Sequence, residues 1–139
     1  MLALCVFSGA VGGVCSELFG GWEKDLTTLV IIMITDYITG IILALMHRSE
    51  KSKNGALSSK AGFAGLVKKA VILLMVLISY RLDISAGTSF IKSAVVVGFI
   101  VNESISVAEN ASLMGIPLPE ALKRGIDILS KKEKNDDNN

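Results

Sequence analysis

The sequence predicts an all-α integral membrane protein: a bundle of about four transmembrane helices followed by a C-terminal amphipathic helix. Three observations predict it. Of the 139 residues, 51% are hydrophobic and only 19% are charged, with a mean hydropathy of +0.57, whereas soluble domains carry ~25% charged residues. Apolar runs recur four times, more than the remaining polar chain can cover in water. The net charge is only +1, but the basic residues gather in the connections, which is a topology signal.

Leu26 to Met46 is the defining run, LTTLVIIMITDYITGIILALM. As one helix at ~1.5 Å per residue it crosses the ~30 Å hydrocarbon layer of a bilayer. Asp36 sits in its middle, with Gly40 one turn on. A carboxylate at that depth costs several kcal/mol unless it faces protein, water or a counter-charge. Something must pack against this helix.

Leu2 to Trp22 is the first candidate span. It has no basic stretch before the apolar run, so it does not read as a signal peptide. Small residues recur every fourth position, Ser8, Gly12, Ser16 and Gly20, beside a second row of Gly9, Gly13, Glu17 and Gly21. Such rows let helix backbones approach closely, within the subunit or between subunits. Trp22 suits an interfacial anchor, and Glu23-Lys24-Asp25 makes a polar turn into the second span.

Residues 47–69 form a basic loop, with Arg48, Lys51, Lys53, Lys60, Lys68 and Lys69 against Glu50. The positive-inside rule places it in the cytoplasm. Asn54-Gly55 and Ser58-Ser59 read as turns. Ala70 to Tyr80 is apolar but short, and crosses only if Lys68 and Lys69 snorkel at one end; a re-entrant segment is the alternative. Thr88 to Ala108 is the last span. Lys92, Glu103, Ser106 and Asn110 fall near one of its faces with Asn102 beside it, and Lys92 lies at a depth where Glu17 of the first span is a candidate partner. Such a polar stripe must face other helices or water.

Met114-Gly115-Ile116-Pro117-Leu118-Pro119 ends the span and starts a new helix. Leu118, Leu122, Ile126 and Leu129 then recur with Lys123, Arg124 and Lys131 elsewhere on the wheel. This pattern fits a helix on the inner membrane surface, or one packed on the ends of the spans. The domain reading is therefore a transmembrane domain over 1–116, an amphipathic interfacial helix over 117–132 and a disordered polar tail over 133–139. Four spans with both termini cytoplasmic satisfy every basic cluster.

The same residues exclude several function classes. Cys5 and Cys15 lie ten residues apart on one helix, ~15 Å, too far to pair with each other. With His47 alone and no CxxC there is no metal-binding pattern. Neither a nucleophile–base pair nor a cofactor motif is visible, so no enzyme is expected and no cofactor. The basic residues lack interleaved aromatics, so no nucleic-acid partner is expected.

At the C-terminal side the chain resembles a known family. The run Asn102-Glu103-Ser104-Ile105-Ser106-Val107-Ala108-Glu109-Asn110, followed by Gly115-Ile116-Pro117-Leu118-Pro119 and Leu122, is similar to the signature of the toxin-secretion and phage-lysis holins. Members carry a Glu-x-x-Ser stretch with Asn further on, then Gly-aliphatic-Pro-x-Pro and a basic amphipathic helix. Asp36 with Gly40, the basic loop, Gly62, Gly65 and Lys68-Lys69 extend the likeness over roughly residues 33 to 130.

The resemblance implies a small protein of the bacterial cytoplasmic membrane that binds lipid, forms homo-oligomers and opens lesions releasing an endolysin or a toxin. It points to Glu103, Ser106, Asn110, Gly115, Pro117 and Pro119 as motif residues. On physical grounds Asp36, Glu103, Asn102, Lys92 and Glu17 are the intramembrane polar candidates for a lumen or an assembly contact, since one small subunit has few ways to satisfy them. Gly9, Gly12, Gly13, Ser16 and Gly40 are the helix-packing candidates. Two other classes fit the pattern: a small four-helix transporter, with Glu17 as its coupling acid, and a membrane assembly subunit that forms no pore.

Overall fold

The computed structural model describes residues 1–51, 53 and 55–136, and among them the protein is all-helical. Five helices follow in order: α1 (Leu2–Leu18), α2 (Lys24–Leu45), α3 (Ser59–Ala86), α4 (Ile91–Leu113) and α5 (Glu120–Asp136). Three of them, α2, α3 and α4, are long and apolar enough to cross a membrane. At 22, 28 and 23 residues they measure ~33, ~42 and ~35 Å. At 17 residues, α1 is shorter, ~25 Å.

Local sequence sets the helix ends. Gly20 and Gly21, at φ +71° and +97°, turn the chain between α1 and α2 in a backbone region that only glycine enters freely. The Ser58 hydroxyl accepts the Ala61 N–H at the start of α3, which is N-capping rather than the free turn expected at Ser58-Ser59. Gly87, at φ +67°, closes α3 in the left-handed conformation. After α4 the Ile116 N–H bonds back to the Ala111 carbonyl and Gly115 adopts φ +81°. Pro117 and Pro119 then redirect the chain into α5.

The third apolar run is therefore neither short nor re-entrant. Lys60, Lys68 and Lys69, expected in a basic loop over 47–69, lie in the first three turns of α3, so the connection shrinks to roughly residues 46–58. Good helix formers surround the lysines, and nothing between Ser58 and Gly87 breaks the helix. Asn54 of the expected Asn54-Gly55 turn lies outside the described residues. Gly55 folds back onto the loop start, with the Ser49 N–H donating to its carbonyl at 3.0 Å.

The centre of the bundle is α4, which packs along both α2 and α3. Leu26, Leu29 and Met33 of α2, Ile72 and Val76 of α3, and Val96 and Ile100 of α4 form a buried apolar core, with Phe19 and Leu129 against its edge. The opposite faces of the spans are apolar too. Ile31, Ile34, Ile38 and Ile42 on α2 and Leu74, Met75, Ile78 and Leu82 on α3 stand exposed. Rows of large side chains turned outward at helical spacing suit a lipid solvent and not water.

In α1 no residue is buried, and Gly9, Gly12 and Gly13 have open space where a side chain would stand. These glycines do not pack helices within the subunit. The connection after α1 does make contact: the Gly20 backbone lies so close to the Tyr80 ring that a Cβ there would stand 2.2 Å from it.

The C-terminal helix departs from the expected inner-surface placement. In the structure α5 folds back antiparallel along α4. Ile126, Leu129 and Glu133 are partly buried there, and the Glu133 carboxylate lies over Gly98, 2.9 Å from where a Cβ would be. Gly98 opens a slot on α4 that the amphipathic face of α5 fills. The helix continues to Asp136, so the tail expected over 133–139 begins as helix; residues 137–139 lie outside the described residues.

Candidate functional site

The three spans converge on one polar cluster. Asp36 on α2, Lys69 on α3 and Glu103 on α4 each lie nine or ten residues from the end of their helix nearest the 46–58 loop. All three thus sit at one level, ~15 Å from those ends and near mid-span. The Lys69 ammonium donates to Asp36 Oδ2 at 2.7 Å and also to Glu103 Oε2. Asp36 and Glu103 are 6% and 5% exposed, which decides that their partners are protein groups and not bulk water. Lys68, about 100° round the helix from Lys69, is exposed.

The rest of the α4 stripe completes the shell. Ser106 Oγ donates to Asp36 Oδ1 at 2.6 Å. Asn110 Nδ2 donates to the same oxygen at 3.1 Å and to Thr39 Oγ1 at 3.0 Å. The Thr39 hydroxyl in turn donates to the Thr35 carbonyl at 2.9 Å. Glu103, Ser106 and Asn110 fall at i, i+3 and i+7 and so share a face. Gly40 keeps α2 bare beneath Asn110, with the Asn110 amide 4.0 Å from its would-be Cβ. On the other flank Tyr37 lies against Gly62 and Gly65 of α3, and its hydroxyl donates to the Gly62 carbonyl at 3.4 Å. The glycines before the third apolar run are thus a seat for an aromatic ring.

A second polar site lies at the other end of the spans. Asp83, buried near the end of α3, accepts from Thr88 Oγ1 at 2.6 Å and from the backbone N–H groups of Ile91 at 3.0 Å and Lys92 at 2.8 Å. It caps the N-terminus of α4 across the turn, where unpaired N–H groups and the helix dipole favour a carboxylate. Lys92 is buried. Its ammonium stands 3.6 Å from Glu23 Oε2 and 5.4 Å from the Tyr80 ring centre, with no hydrogen-bond partner among the described residues.

The structure brings together Asp36, Gly40, Glu103, Ser106 and Asn110 among the residues singled out from sequence. It corrects others. Lys92 meets Glu23 and not Glu17, which is exposed. Asn102 is exposed beside the cluster and not in it. Asp36 and Glu103, expected to be hard to satisfy in one subunit, share Lys69 as a cation within it. Gly115, Pro117 and Pro119 shape the α4–α5 turn away from the cluster.

Sequence reasoning missed Lys69, Thr39, Tyr37 and Asp83. The missed signal for Lys69 is depth: two mid-span acids demand a cation at their own level, and counting from the loop-side helix ends selects Lys68 and Lys69, between which helix rotation decides. For Asp83 the signal is a carboxylate just ahead of the Gly87-Thr88 turn into a helix.

The model of the bacteriophage holin family matches residues 13–131, from within α1 to within α5. The chain belongs to the bacteriophage holin family. Holins are non-enzymatic membrane proteins, and the apolar helices make this one a multi-pass membrane protein. An uncharacterised 14.9 kDa protein in the nagH 3′ region of Clostridium perfringens is 34% identical over 126 residues, 89% of this chain and 90% of its own. A protein of Halalkalibacterium halodurans is 36% identical over 140 residues, covering 96% of this chain and 98% of its own. A probable holin of Bacillus phage phi105 is 27% identical over 122 residues, 84% and 85% of the two chains. No solved structure matches this holin.

Proposed function

We propose that this holin accumulates in the bacterial cytoplasmic membrane, assembles into homo-oligomers and opens lesions through which an endolysin or a toxin leaves the cell. The observation that carries the reading is the site itself. Residues of the resemblance, Asp36, Glu103, Ser106 and Asn110, join with Lys69 to lock three apolar spans together at mid-depth. In lipid, apolar packing alone drives helices together weakly, so buried polar contacts and close backbone approach set which faces meet. A unit held this way ties its three spans to one another through Asp36, Lys69 and Glu103 and stays intact as copies accumulate. Its α1, with no buried residue and an open row of glycines, supplies a surface for meeting another copy.

Inducible expression with a co-expressed endolysin tests the reading. The expected outcome is normal growth, then an abrupt loss of membrane potential and lysis that requires the endolysin. Full accumulation with no change in potential would refute it. A resistance phenotype against lipophilic cations would favour the transporter. An assembled protein that releases no dye from liposomes at any density would favour the pore-free assembly subunit.

A further inference from the structure

The loop-side half of the bundle is open where the other half is closed. Toward the far end, Leu29, Met33, Ile72, Val76, Val96 and Ile100 fill the space between α2, α3 and α4. Toward the 46–58 loop the helices part around a cleft of about 610 Å³. Asp36, Lys68, Lys69 and Glu103 line it at mid-span depth, and Lys51 and Glu109 line it nearer the loop. Lipid tails cannot solvate such a lining, whereas each ordered water needs only two to four polar partners and ~30 Å³. The lining leads to the same conclusion. Three carboxyl and three lysine side chains face the cleft, and charged groups at such depth cost several kcal/mol when unsolvated.

From the cleft and its charged lining together we propose that each subunit contains a water-filled vestibule, entered from the side of the 46–58 loop and ending at the Asp36–Lys69–Glu103 cluster. The apolar core beyond it is the permeability barrier of the subunit. Water and small ions reach half-way through a single chain, and the remaining obstacle is about two turns of α2, from Leu26 to Met33. A packed apolar constriction excludes water and ions by dewetting. The inference rests on the membrane-spanning reading but on neither oligomer nor lesion.

Thiol labelling of the full chain in lipid vesicles tests it. The background carries Cys5→Ser and Cys15→Ser, and single cysteines are placed at Asn102 and Ile105 in the cleft wall, Val76 in the core and Lys51 in the loop. A charged, membrane-impermeant methanethiosulfonate is added from each side in turn, so that a wrong orientation is distinguished from a missing vestibule. Resistance to carbonate extraction checks insertion beforehand, and gel filtration in detergent checks folding. N102C and I105C are expected to react from the K51C side at least about tenfold faster than V76C, which a dewetted core shields. Cleft cysteines as slow as V76C would mean that lipid or protein fills the cleft, and would overturn the proposal. A V76C that reacts as fast as K51C would overturn the barrier.

Discussion

Lys69 and Lys68 are neighbours in sequence with opposite surroundings. One ammonium is shared between two buried carboxylates; the other is exposed beside the cleft. Removing one member of a buried ion group costs ~3–5 kcal/mol, because the remaining charge is left uncompensated. Lys69→Met leaves Asp36 and Glu103 facing each other and is expected to lower the melting temperature in detergent sharply, while Lys68→Met leaves it nearly unchanged. Equal melting temperatures would show that the bridge does not form. Asn110→Ala removes two donors from the cluster, to Asp36 and to Thr39. Its cost is expected at about 1–2 kcal/mol, the range for a hydrogen bond between helices in lipid, and denaturant unfolding in mixed micelles measures it.

Helix ends and helix faces carry the next set of consequences. Asp83 closes the turn from α3 to α4 with three accepted hydrogen bonds. Asp83→Ala should cost about 1–2 kcal/mol, as loss of a strong N-cap does, and Asp83→Asn, which keeps an acceptor oxygen, should cost less. Circular dichroism melts of both variants separate the two effects. Where α2 passes α3, a Cβ at Gly65 would stand 3.6 Å from the Tyr37 ring, an ordinary contact. Gly65→Ala is therefore expected to fold normally. Gly65→Leu would drive α3 from Tyr37, at a cost of ~1–3 kcal/mol typical of overpacking. If both variants melt alike, the close approach is not a constraint. Gly98 differs in kind: its neighbour is the end of the flexible Glu133 side chain, so Gly98→Ala should shift Glu133 with little loss of stability.

The whole molecule reverses the logic of a soluble fold. Large apolar side chains stand on the outer faces of α2 and α3, while Asp36, Asp83, Lys92 and Glu103 are held within. The network Asp36–Lys69–Glu103–Ser106–Asn110 thus sets helix phase and depth as well as stability. Paired substitutions Asp36→Asn and Glu103→Gln are expected to disturb assembly, seen as delayed or premature lysis in the inducible strain, with membrane potential lost on a changed schedule. Lysis on the normal schedule in both variants would remove the cluster from the functional account. Much of this architecture was legible in advance. Leu26 to Met46 reads as a span from its run of apolar residues, and Glu103, Ser106 and Asn110 read as one face from their spacing. Glu17 was misleading for the opposite reason: its depth matched Lys92, but no local pattern reveals that α1 stays unburied while Glu23 comes within reach.

By itself the sequence determined the solvent this protein lives in, its helical class, the spans that became α2 and α4 and the residues that must turn away from lipid. These follow from sums over neighbouring residues, hydropathy and periodicity, which need no knowledge of distant contacts. Only the tertiary structure decided that Lys69 answers Asp36 and Glu103, that Asp83 caps α4 and that α5 returns along Gly98. Each of these depends on the rotation and depth of one helix relative to another. Those quantities are fixed by packing between segments far apart in the chain, and no single segment encodes them.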